Sequence, residues 1–208
     1  MTVLPISPVS LSSSLSPPRP VVLVHGLDDT AKVFNPLARY LSDRGWSVYR
    51  WDLRPSNGNV SIETLARQLS VYIHDHLPPS TPFDLIGFSM GGIISRYYLQ
   101  RLDGLERVFR FITLSSPHRG TWTGYLRWNV GCSQMRPDSA FLKDLNQDWD
   151  CLSQVRFFSL WTPFDLMIVP AESSVIPVGE SRSIPVAFHP WMLTDPRCLS
   201  TIVQLLQC

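Results

Sequence analysis

A serine flanked by glycines is the most informative short pattern in the chain. Residues 87–92 read GFSMGG, which places Ser89 at the centre of a G-x-S-x-G motif. An apolar stretch precedes the motif and a helical pattern follows it, so we expect Ser89 on a sharp strand-to-helix turn, where only small neighbours avoid clashes. Such a turn exposes the hydroxyl and points free helix N–H groups toward it. The pattern therefore predicts a catalytic nucleophile; the alternative is a glycine-rich turn in an inactive protein.

A serine nucleophile needs a histidine that accepts its proton. In chains built around such a turn, an acid follows the nucleophile and the histidine comes last. His189 satisfies this order, because it lies between the last strand pattern and the last helix pattern. His118 is the alternative, although no acid at a strand end separates it from Ser89. His25 precedes the nucleophile, and we expect its ring to brace a loop.

The acid that orients the histidine is predicted to be Asp165. It directly follows an apolar strand pattern and has apolar neighbours, among which an unpaired carboxylate would be costly. A histidine is a suitable partner for such a carboxylate. Asp148 and Asp150 precede the same strand, so we expect them at its other end. Glu172 and Glu180 are further alternatives in a segment rich in serine and proline.

Attack by a serine on an acyl carbonyl produces an oxyanion, which two preorganised N–H groups must stabilise. Met90 follows the nucleophile directly and supplies one of them. Leu27 follows Gly26 in the turn after the first apolar segment, and it supplies the other if that turn faces Ser89. Loss of one such donor costs about 3 kcal/mol of transition-state stabilisation.

Short apolar segments alternate with helical patterns along the chain, as in repeated β-α-β units. The first segment, PVVLVH, is apolar almost throughout, which is typical of a strand buried on both faces. We therefore expect a mostly parallel sheet of about six strands. The predicted strands cover residues 20–25, 46–51, 83–88, 108–114, 155–161 and 184–188. The predicted helices cover residues 30–44, 61–76, 90–102 and 196–207, with a short helix signal at 138–146.

Residues 119–154 interrupt this alternation. The segment is too long for an ordinary connection between a strand and a helix, and it carries several large apolar side chains. Long irregular insertions often carry function, so we expect a lid or a pocket wall; the alternative is a surface excursion over a satellite core. The side chains expected to line the pocket are Trp122, Tyr125, Leu126, Trp128 and, outside the insertion, Met167.

The composition of the 208 residues limits the partners. The 18 basic and 17 acidic residues leave a net charge of +1, which argues against a nucleic-acid partner. The apolar fraction of 44% provides a sizeable core. The four cysteines show no metal-ligand spacing. Serine-based acyl transfer needs neither a metal nor an organic cofactor, so none is expected. We expect free thiols in a reducing compartment, although a Cys132–Cys151 bridge is geometrically possible.

Residues 1–19 hold six serines and four prolines, with no basic residue before Arg19. A secretory signal needs a positive start and a continuous apolar stretch, and this segment has neither. We expect a flexible N-terminal arm at residues 1–19, followed by a single domain at residues 20–208. No apolar run approaches the roughly 18 residues that span a bilayer. We therefore expect a cytoplasmic location, with a non-standard targeting segment as the alternative.

Taken together, these motifs resemble those of a small lipase or esterase of the α/β-hydrolase fold. The resemblance extends over nearly all of residues 20–207. It rests on VHGL at 24–27, GFSMGG at 87–92, TLSSPHRGT at 113–121, and the segments around Asp165 and His189. It implies a single mostly parallel sheet with helices on both faces. The chain is short for this fold, so we expect at most a small cap.

The resemblance also implies roles for particular residues. The implied triad is Ser89, Asp165 and His189, the implied oxyanion donors are Leu27 and Met90, and His118 takes a structural position. An apolar residue after Gly26 is associated in this family with medium or long acyl chains.

We therefore expect a serine carboxylic-ester hydrolase that acts on a small acyl ester or lipid, with transient contact to a lipid surface. The alternatives are an acyltransferase or thioesterase with the same triad, and a non-catalytic binding protein. The sequence leaves the oligomeric state open.

Overall fold

Six parallel strands form one sheet in the computed structural model, which describes residues 18–208. The predicted N-terminal arm therefore lies, apart from its last two residues, outside the described part of the chain. The spatial order of the strands is β2-β1-β3-β4-β5-β6. Their bounds are β1 Val21–Val24, β2 Val48–Arg50, β3 Phe83–Phe88, β4 Val108–Leu114, β5 Arg156–Trp161 and β6 Glu180–Ser183. The expected parallel sheet of six strands is confirmed.

Helices cover both faces of the sheet, as expected. On one face, α2 and α3 pack on side chains such as Val22 and Leu85. On the other face, α1 and α6 pack on side chains such as Val21 and Ile86. Neighbouring residues of one strand thus point into different cores, which explains why these strands are apolar without alternation. The α-helices are α1 Asn35–Ser42, α2 Ile62–His76, α3 Met90–Arg101, α4 Val130–Gln134, α5 Ala140–Leu145 and α6 Pro196–Gln207.

Local sequence signals set several helix ends. The Ser61 side chain accepts a hydrogen bond from the Thr64 N–H and caps α2. The helix predicted at residues 30–44 is split into a 3-10 turn at Ala31–Phe34 and α1. Pro36 lies in the first turn of α1, where a missing N–H is tolerated.

The strand predicted at residues 184–188 is wrong. The sheet ends instead with β6, a polar strand of sequence ESRS that lies at an edge and is largely exposed. An edge strand of this kind carries no apolar pattern by which it could be recognised. Ile184 and Val186 are apolar because they are buried beneath α6. Pro185 between them has no N–H to donate, so strand pairing stops there.

The order of the strands creates a crevice between β1 and β3. The chain leaves β1 for β2 on one side and returns to β3 on the other side of β1. The connections from the carboxyl ends of β1 and β3 therefore run in opposite directions, and ligands of open α/β sheets bind at such a point. The turn at Gly26 follows β1 and Ser89 follows β3, so the fold brings both to this crevice.

Candidate active site

Ser89 occupies a strained turn between β3 and α3. Its φ of 54° and ψ of −125° lie in a region that residues other than glycine rarely adopt. The Ser89 N–H donates to the Leu114 carbonyl at 2.9 Å, which ties the turn to β4. A Cβ at Gly91 would lie 2.1 Å from the Val24 carbonyl oxygen, and one at Gly87 would lie 2.8 Å from the Gly91 carbonyl carbon. Both flanking glycines are therefore needed for space around the serine.

The turn after β1 lies directly against the serine. A Cβ at Gly26 would lie 3.0 Å from Ser89 Cβ and 3.4 Å from its Oγ. Within residues 18–208, neither the Leu27 N–H nor the Met90 N–H donates a hydrogen bond. Gly26 and Ser89 are in close contact, and each of the two donors belongs to the residue that follows one of them. Both are available to an acceptor at that point.

His25 braces this turn. Its Nε2 accepts a hydrogen bond from the Leu53 N–H at 2.9 Å, so the ring proton is on Nδ1, which donates to the Gly26 carbonyl at 3.0 Å. Burial lowers the pKa of His25, while the bond to Gly26 and the charges of Asp29 and Asp52 act in the opposite direction. The ring is therefore neutral and holds Gly26 in place.

Asp165 and His189 form a buried pair. The His189 Nδ1 lies 2.7 Å from Asp165 Oδ2, and both side chains are almost completely buried. Asp165 Oδ1 accepts hydrogen bonds from the N–H groups of Met167 and Ile168, each at 2.9 Å. Burial acts to raise the pKa of Asp165, but the bonds from His189, Ile168 and Met167 outweigh it, so the pKa is lowered. The carboxylate is therefore charged and fully engaged.

The His189 ring lies in the same cleft as the candidate nucleophile. It packs on the ring of Phe88, the residue before Ser89, with the ring centroids 4.8 Å apart. Ser89 and His189 line the same cleft. Because Asp165 occupies Nδ1, Nε2 is the ring nitrogen left for the cleft. No hydrogen bond joins Ser89 and His189 in this structure, as is common before a substrate tightens such a contact.

His118, the alternative base, is buried away from the cleft. Its Nε2 lies 3.0 Å from the Thr113 hydroxyl, and its carbonyl accepts a hydrogen bond from the buried guanidinium of Arg96 at 3.3 Å. Burial lowers the pKa of His118 well below its ordinary value, with a smaller contribution from the charge of Arg96. The neutral ring packs edge-on against Phe157 of β5, with the ring centroids 5.8 Å apart.

The cleft above Ser89 has a volume of about 490 Å³. Leu126 and Met167 line it, as the sequence predicts. Trp122, Tyr125 and Trp128 do not line it, and all three are exposed. Trp122 stacks on Tyr125 at 5.5 Å, and the Arg136 guanidinium lies 4.7 Å from the Tyr125 ring and 5.1 Å from the Trp128 ring. These aromatic side chains were expected to line the pocket, but they pack on one another and on Arg136 at the surface.

Sequence reasoning missed several apolar residues of the cleft. Phe164 and Leu166 flank Asp165, and Phe188 precedes His189. Each is more than half exposed, although each follows a strand of the sheet within a few residues. The sequence signal that could have identified them is their position, since each is a large apolar residue directly next to the candidate acid or base.

Two findings concern metals and membranes. Among residues 18–208, no group of three or more His, Cys, Asp or Glu side chains is arranged to hold a metal ion. No helix in the same range has the length and apolar character required to cross a membrane. All four cysteines are free in the structure.

Comparison with known proteins identifies the family. The model of the palmitoyl protein thioesterase family matches residues 20–140. The chain belongs to this family. The human lysosomal thioesterase PPT2 is 31% identical over 138 residues, which are 62% of this chain and 45% of that protein. A triacylglycerol lipase of Pseudarthrobacter phenanthrenivorans is 33% identical over 110 residues, which are 49% of this chain and 34% of that protein.

The chain thus spans about half the length, or less, of the curated relatives it matches. Its fold is shared over a longer range. The mature lipase BlEst2 of Bacillus licheniformis superimposes with a TM-score of 0.76 over 92% of this chain and 93% of that structure, at 18% identity. The fold of this member of the palmitoyl protein thioesterase family is therefore the α/β-hydrolase fold. The family match includes Leu27 and Ser89 but ends before Asp165 and His189.

Proposed function

We propose that this protein hydrolyses acyl esters through a triad of Ser89, His189 and Asp165. The observation that carries the proposal is the convergence of these residues at one end of the sheet. The His189 Nδ1 lies 2.7 Å from Asp165 Oδ2, and Ser89 lines the same cleft as His189. Strained backbone at a serine between required glycines supports the role of Ser89 as nucleophile.

The first step forms a tetrahedral intermediate. Ser89 Oγ bonds to the acyl carbon while its proton passes to His189 Nε2. The other ring proton, on Nδ1, remains hydrogen-bonded to Asp165, and the charged carboxylate stabilises the imidazolium that forms. The carbonyl oxygen becomes an oxyanion and accepts hydrogen bonds from the N–H groups of Leu27 and Met90, each of which contributes about 3 kcal/mol.

The second step releases the alcohol and leaves an acyl-enzyme. The bond between the acyl carbon and the leaving oxygen breaks, and His189 returns its proton to that oxygen. A water then attacks the acyl-serine, with its proton taken by His189, and the collapse of this second intermediate releases the carboxylic acid and restores the Ser89 hydroxyl. Neither step calls for a cofactor.

The acyl group is expected to be apolar and of medium or long chain. The cleft is lined by Leu126, Met135, Phe164, Leu166 and Met167, among other apolar side chains. Burial of each methylene contributes about 0.8 kcal/mol, so affinity rises with chain length until the cleft is full. This preference is testable with a series of esters that differ only in the acyl chain.

A thioester is the second candidate substrate, because the chain belongs to the palmitoyl protein thioesterase family. The chemistry is the same except for the leaving atom. A thiolate leaves with less help from an acid than an alkoxide does, so the demand on the imidazolium of His189 is smaller.

The experiment compares an ester and a thioester that carry the same acyl chain. We expect the wild-type protein to hydrolyse p-nitrophenyl esters, with kcat/KM rising with chain length, and a Ser89→Ala variant to lose turnover of both substrate types. Cys208 is exposed and free, so it would itself react with a thiol reagent. Thioester cleavage is therefore monitored by the decrease in the ultraviolet absorbance of the thioester. Absence of turnover at every chain length would contradict the proposal.

Two controls separate the remaining candidates. A fluorophosphonate labels only an activated serine, so labelling of the wild type but not of Ser89→Ala excludes a non-catalytic binding protein. Addition of an alcohol acceptor distinguishes acyl transfer from hydrolysis, because transfer gives a new ester in place of the free acid.

Transient contact with a lipid surface is part of this proposal. Among residues 18–208, ten of the eleven exposed large apolar side chains lie in three segments, at residues 122–130, 164–167 and 188–191, and each segment contributes to the lining of the cleft. We expect the wild-type protein to sediment with vesicles of neutral lipid. A Trp128→Ser/Leu126→Ser double variant should sediment with them to a smaller extent. A cytoplasmic location stays a prediction, and it is tested by imaging the full-length protein in cells.

A further inference from the structure

The carboxylate that orients His189 is itself held by backbone of its own loop. Asp165 Oδ1 accepts hydrogen bonds from the N–H groups of Met167 and Ile168, each at 2.9 Å. These bonds leave Oδ2 for His189. The direction of the carboxylate therefore depends on the conformation of the backbone just after it.

Thr121, at the start of the insertion, holds this backbone from outside the loop. Its hydroxyl accepts a hydrogen bond from the Val169 N–H at 2.8 Å and donates to the Met167 carbonyl at 3.1 Å. The Trp122 N–H donates to the Val169 carbonyl at 2.8 Å, and the Thr123 hydroxyl donates to the Met167 carbonyl at 2.6 Å. Four hydrogen bonds thus tie the insertion to the loop that carries Asp165.

The Thr121 hydroxyl is central to this contact. Thr121 is 3% exposed, so water has little access to the bonds that its hydroxyl makes. A hydroxyl has a single proton to donate and lone pairs to accept with, and here it donates to one backbone group of the loop and accepts from another. Those two groups, at Met167 and Val169, enclose Ile168, whose N–H binds Asp165. The hydroxyl therefore fixes the segment on both sides of a donor to the carboxylate.

We propose that Thr121 is a positioning residue, which acts through the backbone of residues 167–169 to keep Asp165 in line with His189. The inference rests on the proposed function, because it takes Asp165 and His189 to act together in the catalytic triad. A purely structural threonine would affect only stability. A positioning threonine also affects how strongly the carboxylate favours the protonated ring of His189, and hence the pH profile of the reaction.

Other charged groups near the ring are not altered by changes at Thr121. Asp28, Asp29 and Arg127 line the same cleft as His189, and Asp28 pairs with Arg127 at 2.5 Å. None of the three forms a hydrogen bond with Thr121. A change in the pH profile of a Thr121 variant therefore reports on Asp165.

The test compares three substitutions. Thr121→Val removes the hydroxyl and keeps the shape, whereas Thr121→Ser keeps the hydroxyl. Ser139→Ala is the matched control in the same insertion, because the Ser139 hydroxyl caps α5 by accepting from the Leu142 N–H at 3.1 Å and does not line the cleft. Hydrolysis of p-nitrophenyl butyrate is measured against pH, with the melting temperature of each variant.

For Thr121→Val we expect kcat to fall roughly ten- to hundredfold with little change in KM, since a misplaced catalytic group affects the chemical step. The acidic limb of the kcat/KM profile moves to lower pH, because a looser carboxylate stabilises the imidazolium less. Thr121→Ser retains the wild-type profile, and Ser139→Ala loses stability without a change in the profile. If Thr121→Val does not fold, Thr121→Cys replaces it, since a thiol is a weaker hydrogen-bonding group than the hydroxyl of serine.

A second measurement needs no turnover. The proton between His189 Nδ1 and Asp165 gives a proton resonance far downfield, identified by its loss in His189→Gln. We expect this resonance to weaken or exchange rapidly in Thr121→Val and to persist in Thr121→Ser and Ser139→Ala. If the wild type hydrolyses no ester while the resonance behaves in this way, the proposed function fails and the positioning role stands. A Thr121→Val or Thr121→Cys variant with the resonance and pH profile of Ser139→Ala overturns the inference.

Discussion

Replacement of Asp165 by asparagine tests the triad sharply, because the structure fixes which way the new amide faces. Asp165 Oδ1 accepts from two backbone N–H groups at 2.9 Å, so the amide oxygen must take that position. The amide NH₂ then occupies the position of Oδ2, 2.7 Å from His189 Nδ1. The reverse orientation would oppose NH₂ to both N–H groups and lose two hydrogen bonds of about 1 kcal/mol each.

An NH₂ group facing His189 changes the tautomer of its ring. Nδ1 must accept a hydrogen bond, so the single proton of the neutral ring moves to Nε2. In that form Nε2 cannot accept the proton of Ser89, although every heavy atom keeps its place. We expect kcat to fall about 10⁴-fold, as for this change in other triads. This loss corresponds to about 5.5 kcal/mol of transition-state stabilisation.

The assay is hydrolysis of p-nitrophenyl butyrate by purified Asp165→Asn, with the melting temperature as a measure of folding. Asp148→Asn is the control, because Asp148 is an alternative acid that pairs with Arg101 at 2.6 Å and does not line the cleft. We expect the control to keep nearly full activity. Retention of more than about a tenth of the activity by Asp165→Asn would refute the tautomer argument, and an equal loss in the control would show that the acid had been misassigned.

Three further predictions follow from the same structure. Gly26→Ala places a methyl group 3.0 Å from Ser89 Cβ, so fluorophosphonate labelling slows about tenfold or more with little change in melting temperature; an unchanged rate contradicts the close contact. Arg110→Met leaves the buried carboxylate of Asp84 unpaired and lowers the free energy of unfolding, measured in urea, by about 3–5 kcal/mol. Most of this loss is restored in the Arg110→Met/Asp84→Leu double variant, whereas a loss below about 1 kcal/mol in the single variant contradicts a buried pair. The lowered pKa of Asp165 contributes stability that is fully present above pH 3.8, the ordinary pKa of an aspartate, and that disappears as the pH falls through the lowered pKa of the folded protein. The melting temperatures of wild type and Asp165→Asn should therefore converge over that range of pH, and a constant difference between them contradicts this prediction.

The fold is predictable from the sequence where strands are buried on both faces. The predicted bounds of β3 and β4 agree with the structure, because nearly every residue of these strands is buried and most are apolar, while the Asp84 and Arg110 side chains within them pair with each other. Strand β6 could not be predicted in this way. Its position at the edge of the sheet is decided by pairing with β5, and that pairing uses backbone groups that the side chains do not reveal.

Parts of the candidate site follow from the sequence for a similar reason. Chain order and strand ends predict that Asp165 and His189 meet, and the structure places them in contact. Their catalytic roles stay predictions until they are tested. The orientations of Trp122 and Tyr125 could not be predicted, because both lie in a short 3-10 turn at Trp122–Leu126 that sends successive side chains in different directions, and only tertiary packing decides which of them face the cleft.

The two halves of the candidate site differ in what holds them, and this difference explains which half leaves a motif. The nucleophile half is fixed by close backbone packing, as where Gly91 meets the carbonyl of Val24, and such packing demands particular small residues at fixed spacing. The acid half is fixed by hydroxyls that reach across the fold, from Thr121 to the Met167 carbonyl and from Thr162 to the carbonyl of Val186. Any chain segment of suitable position can present such a hydroxyl, so no contiguous pattern results. The match to the family model accordingly includes Gly26, Gly87, Ser89 and Gly91 within residues 20–140 and ends before Asp165 and His189.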